Sequence, residues 1–110
     1  MQKVTLYFLE RPDIKINIEL YFNGSGQLIL DGYDIGKSVK YFWGDSDYEY
    51  TITIEPKEVM KLYEIFSLEP DNREALLEAI KDRFGVNEAY TLFEEFLKSH
   101  GIDYSGFTYI

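Results

Sequence analysis

Hydrophobic residues keep one spacing up to Pro56 and another after it. Before Pro56 the period is two. Ile14, Ile16, Ile18, Leu20 and Phe22 alternate with Lys15, Asn17, Glu19 and Tyr21, as in a strand with one face buried. Val4, Leu6 and Phe8 alternate with Thr5, Tyr7 and Leu9, which predicts a preceding strand with Tyr7 on its outward side. Arg11-Pro12-Asp13 supplies the turn between these two strands. Asn23-Gly24-Ser25-Gly26 supplies the next, because Asn and Gly tolerate positive φ. Gln27 to Asp31 reads as a short third strand. In a fourth, Tyr48, Tyr50, Ile52 and Ile54 alternate with Glu49, Thr51 and Thr53. Sheets covered on one side only are usually antiparallel.

After Pro56 the spacing is helical. Proline suits a first helical position, where its missing N–H costs nothing, and Val59, Leu62, Tyr63 and Phe66 fall on one face. Asp71 with Glu74 has the spacing of a capping box; Leu76, Leu77, Ile80 and Phe84 follow as a stripe, and Gly85 as a stop. Asn87 is placed to cap a third helix with the stripe Ala89, Leu92, Phe93, Phe96 and Leu97, ended by Gly101. Strands first and helices later predict an α+β fold. The expectation is a single domain over residues 1–110. It has a four-stranded, mainly antiparallel sheet in residues 2–54, with a short helix near 37–43. Helices at 56–66, 72–84 and 88–100 cover one face. The tail from Ile102 to Ile110 is too apolar to float and is expected to dock, an edge strand being one way to do so.

Composition narrows the function. The 110 residues hold 20 acidic and 11 basic side chains, a formal charge of -9. That balance opposes nucleic acid or an anionic membrane as partner, since both require clustered Lys and Arg. There is no cysteine, hence no disulfide, zinc knuckle or thiol nucleophile. Aromatic residues make up 17% of the chain, too many for a disordered acidic tail. The apolar start is shorter than a secretory segment requires, and no run approaches the roughly 18 apolar residues of a membrane span. A cytoplasmic protein is expected.

Three motifs imitate chemistry and fail. Gly32-Tyr33-Asp34-Ile35-Gly36-Lys37-Ser38 approaches a phosphate loop, but only three residues separate the glycines, Asp31 stands where the first Gly belongs, and Asp34 would repel phosphate. A turn and helix start is the simpler reading. Asp45-Ser46-Asp47-Tyr48-Glu49 opens like a calcium loop, yet Tyr50 and Pro56 occupy the positions that need Gly and a bidentate Glu. His100, the one histidine, lies in a last helical turn, where a cation complements the dipole. No serine has a nucleophile context. No catalytic residue, metal or cofactor is assigned, and an enzyme is not expected.

What remains is a charge pattern. Asp31, Asp34, Asp45, Asp47 and Glu49 bracket the short helix, with Tyr33 and Trp43 among them. The simple reading is a solvated surface, with Trp43 as a core plug. The functional reading is a negative patch that speeds capture of a basic partner, with Tyr33 and Trp43 as anchors. The runs Leu28 to Gly36 and Gly44 to Tyr50 resemble a segment of small, uncharacterised bacterial proteins, over residues 18–54. In size, acidity and α+β layout the chain is similar to immunity proteins that neutralise bacterial toxins. The first likeness carries no characterised activity; the second implies a protein-binding module that inhibits a basic toxin domain. A small-ligand or divalent-metal domain using the Gly32–Ser38 and Asp45–Glu49 loops, and a self-associating structural domain, are the other classes.

Overall fold

The computed structural model describes residues 2–36 and 47–109. In chain order they form β1 (Lys3–Arg11), β2 (Ile14–Phe22), β3 (Leu28–Gly36), β4 (Asp47–Ile54), α1 (Pro56–Ile65), α2 (Arg73–Phe84), α3 (Ala89–Ser99) and β5 (Ser105–Tyr109). The strands lie in the order β1-β2-β3-β4-β5, every neighbouring pair antiparallel. The layout is α+β, but the expected four-stranded sheet is wrong. The tail docks as a fifth strand beside β4, pairing Thr51 with Phe107 and Ile52 with Gly106. The expected short helix at 37–43 lies outside the described residues.

One core joins sheet and helices. Ile16, Ile18, Leu20 and Phe22 of β2, Leu28 and Leu30 of β3, and Tyr50, Ile52 and Ile54 of β4 are buried on the inner face. Leu62, Leu76, Leu77, Ile80, Phe93 and Leu97 bury the helices against them. The β2 alternation therefore does what its period implies.

β1 departs from its expected facing. Thr5 pairs with Glu19, but the next pair is Tyr7 with Ile18, so Leu6 is the extra residue of a bulge. A one-residue slip sends every later side chain to the opposite face. Leu6 stays buried, Tyr7 and Leu9 turn inward against the core, and Phe8 turns outward, 48% exposed.

β3 is longer than expected. Residues 32 to 36 continue the strand, so they form neither a turn nor a helix start. The inner side of Gly32 is occupied by the Tyr50 ring, which a Cβ there would overlap. Gly36, at φ 155°, would set a Cβ against the Asp13 and Ile14 backbone.

Two helix caps also differ. Asn72, not Asp71, caps α2, its side chain accepting from the Ala75 amide at 3.3 Å. Asp71 sits at φ 66°, outside the helix. The N-cap of α3 is Glu88, without a side-chain bond, and not Asn87. Gly101 ends α3 as expected: at φ 66° it lets Gly101 N–H reach the Lys98 carbonyl and Ile102 N–H reach that of Leu97. Ile102 is then buried. Glu58 in the first turn of α1 fixes the following segment. Only 6% exposed, it accepts the Asp103 amide at 2.8 Å and the Lys61 ammonium at 2.9 Å.

Candidate functional site

The helices pack against one face of the sheet, and the expected binding residues divide between its two faces. Alternate residues of a strand point to opposite sides. Asp31 and Tyr33 of β3 and Glu49 of β4 therefore share the outer face, where Tyr33 pairs with Glu49 and Asp31 with Thr51. Asp34 is on the inner face, half-buried, and its Oδ1 accepts the Tyr50 hydroxyl at 2.9 Å. Asp34 is thus not part of a continuous patch with Asp31. The backbone of Asp47 begins β4 opposite Ile35; Trp43 and Asp45 lie outside the described residues.

Register adds a residue that spacing did not reveal. Glu19 of β2 stands directly opposite Asp31 of β3. Like charges directly across a ladder are destabilising. Lys3 relieves one of them, its ammonium 3.0 Å from Glu19. The Asp31 carboxyl is held above its usual value, first by partial burial and then by the Glu19 carboxylate. Lys3 and a hydrogen bond from Thr51 pull it the other way without cancelling the rise. Neighbouring Tyr21 is raised as well, by burial and then by Asp31.

Around this pair the outer face is mixed. Phe8 lines up with Asn17, Tyr33 and Glu49 across four strands, and Thr5 with Glu19, Asp31, Thr51 and Phe107 across all five. Phe107 is 56% exposed. Aromatic residues set among carboxylates are the composition of a binding surface with a hydrophobic anchor and a charged rim. Phe8 and Phe107 were missed for different reasons. The bulge that exposes Phe8 has no signature in a run where every second choice is apolar. Phe107 takes its place only when β5 pairs.

The inner end of the sheet holds a shallow cleft of about 280 Å³, lined by Asp34, Tyr48, Tyr50, Asn87, Glu88, Tyr90 and Thr91. It lies just below the usual range for a small-molecule site. Its aromatic side is a packed series: Tyr50 is 5.5 Å from Tyr48 and 5.2 Å from Tyr90, ring centre to ring centre. Burial first, then Asp34, drives the Tyr50 hydroxyl far above its ordinary range. The Asp34 carboxyl is raised by burial. The neutral Tyr50 phenol donates to Asp34 and ties β4 to β3 at this end of the sheet.

Among the described residues, no group of three His, Asp or Glu side chains is placed to hold a metal ion. No described helix is long and apolar enough to cross a membrane. The glycines of the phosphate-loop imitation lie in a strand, where they cannot wrap amides around a phosphate. Comparison with family models, with curated proteins and with solved structures finds no match to this chain.

Proposed function

We propose that this protein is a binding module that takes a basic protein surface on the outer face of its sheet. The observation that carries the reading is the Glu19–Asp31 pair, two carboxylates opposed across a ladder, of which Glu19 alone has a lysine, Lys3 of β1, at 3.0 Å. A cation from a partner placed beside Asp31 turns that repulsion into attraction. Glu49 extends the negative field, and the charge of -9 steers a basic partner inward from a distance. Tyr33 and Phe8 supply flat apolar area beside the acids. An immunity protein that neutralises a basic toxin domain in the cytoplasm is the member of this class suggested by the chain's size, acidity and layout.

Titration with a short Lys- and Arg-rich peptide, followed by amide NMR shifts, tests the reading. The helices carry acids too, among them Glu74, Glu78 and Glu95, so the chain contains its own control. The expected result is a saturable shift set centred on Glu19, Asp31, Tyr33 and Glu49, weakened by salt and lost in Asp31→Lys. Shifts spread evenly over helices and sheet would show attraction to net charge alone and overturn it.

A further inference from the structure

We infer that a cleft at the first turns of α1 and α2 binds a small zwitterion with an apolar body, an apolar α-amino acid such as leucine being the simplest of that class. The cleft has a volume of about 260 Å³. It lies where Phe22 ends β2 and pairs with Leu28, at the end of the sheet away from Gly36 and Asp47. Phe22 with Pro56, Val59 and Met60 of α1 makes its apolar wall, and Met60 is exposed beside it. Lys57 and Arg73 line it as cations and Asp71 as an acid. Among the described residues none of these three is in an ion pair.

Tyr63 is what points to a ligand. It is 2% exposed, and among the described residues no hydrogen bond ends on its hydroxyl. Every sealed side-chain N or O atom among them has a partner. The hydroxyl is therefore not sealed, and it opens into the cleft that Tyr63 lines. Burial first, then Asp71, raises it above its ordinary range, while Arg73 acts the other way, so it ends within the field of both charges. Two opposite charges are thus held near one buried hydroxyl without closing on each other. An ammonium fits beside Asp71, and a carboxylate between Arg73, Lys57 and the Tyr63 hydroxyl. Arg73 is set in place for that contact. Its guanidinium lies 4.8 Å from the Phe22 ring centre, and Nη1 donates to Gln2 Oε1 at 3.2 Å, which leaves other N–H groups to grip a carboxylate. Gly26 has no side chain to close the space beside Nη2, which a Cβ there would approach to 3.5 Å.

Charge selects the zwitterion. A chain of -9 repels a free anion, and Asp71 repels it again at the cleft. A free amine would meet Lys57 and Arg73. An amino acid carries no net charge and uses both signs, and its apolar side chain falls against Val59 and Met60. The cleft shares no residue with the outer face of the sheet, so the inference does not rest on the choice of a basic partner.

A cleft this small and shallow holds such a ligand at about millimolar Kd. Amide NMR on the full chain, with leucine added to about 50 mM, is the test. The expected result is a saturable shift set centred on Tyr63, Asp71 and Arg73. Isocaproate, which lacks the amine, and isoamylamine, which lacks the carboxylate, should each bind about tenfold more weakly, the loss of one charge-assisted hydrogen bond. These comparisons use the wild-type protein and need no variant. Asp71→Asn keeps the backbone at φ 66°, which Asn tolerates. It should weaken leucine to the level of isocaproate and leave isocaproate no weaker. Tyr63→Phe removes only the hydroxyl and should weaken leucine and isocaproate alike. No saturable shift at the highest concentration, shifts centred elsewhere, or either analogue binding as well as leucine would overturn the inference. So would wild-type affinity for leucine in either variant.

Discussion

Gly32→Ala tests how the inner end of the sheet is held together. A Cβ at position 32 overlaps the Tyr50 ring; even Cδ2 is only 2.5 Å away, against roughly 3.5–4.0 Å for a relaxed carbon contact. The ring must therefore retreat by at least about 1 Å. It has little room, because Tyr48 and Tyr90 pack against it and its hydroxyl is bonded to Asp34. Overpacking of this kind costs about 1–3 kcal/mol. Displacing a hydrogen bond to a half-exposed carboxylate adds about 1.5 kcal/mol. Alanine returns about 0.5–1 kcal/mol through its lower backbone entropy. The net expectation is a loss of about 3 kcal/mol, a fall in Tm of about 10–15 °C for a domain of this size. Urea unfolding measures it, and a double-mutant cycle assigns it: in a Tyr50→Val background the same substitution should be neutral or slightly stabilising. An equal cost in both backgrounds, or a cost below about 0.5 kcal/mol in the wild type, would refute the packing argument.

Other expectations follow from charge and backbone geometry. Asp31→Asn keeps an acceptor for Thr51 and removes the repulsion with Glu19, so it should stabilise by about 0.5 kcal/mol in low salt. The gain should fade near 1 M salt, while affinity for the basic peptide drops; a salt-independent gain, or a loss, contradicts the charge argument. Ser67 closes the α1 terminus at φ 58°, where the Leu68 amide reaches the Tyr63 carbonyl at 2.8 Å. Ser67→Gly should add about 1 kcal/mol in thermal or urea unfolding by removing left-handed strain, and a destabilised variant would show that the serine is held for another reason. The Glu58 carboxyl is lowered from its ordinary 4.5, first by the Asp103 amide and then by Lys61. A lowered acid contributes stability in full above its unfolded value and loses it as pH falls through its folded one. The stability gap between wild type and Glu58→Gln should therefore be flat from neutral pH down to about 5 and shrink below that. A gap that does not shrink as pH falls below that value removes the carboxylate from the account.

Where one periodicity dominates, the sequence was legible. The alternation of Ile14 to Phe22 and most of the helical stripes after Pro56 carry into the structure because one residue class occupies one face, but Leu92, expected on the buried stripe of α3, is 40% exposed. β1 was not legible beyond Thr5: Leu6, Tyr7, Phe8 and Leu9 are all apolar, so either facing satisfies the pattern, and the bulge chooses. Gly32 and Gly36 read as punctuation because glycine usually ends strands. Here Gly32 is needed within one, under the Tyr50 ring. The candidate site was half visible. Asp31, Tyr33 and Glu49 have the parity of one face, but Asp34 has the opposite parity, which was legible once β3 was carried past Asp31. Glu19 was hidden because it meets Asp31 only through the register set by the turn at residues 23–26. Phe107 depends on a pairing between segments separated by three helices, which no local pattern encodes.

That last pairing also bears on the order of assembly. β1 to β4 are joined by successive short-range hairpin closures, except for the connection at 37–46, whereas β5 must wait until α1, α2 and α3 have brought it back to β4. Contacts between distant segments form slowly because the loop entropy is lost before they are made. Loop entropy therefore predicts that the fifth strand docks last and leaves first, with Glu58 holding its approach through the Asp103 amide two residues ahead of it. During that interval the β4 edge, with Thr51 and Thr53, is bare. In that order of events β4 is an exposed sheet edge until β5 arrives, and the speed of one short strand decides how long it stays so.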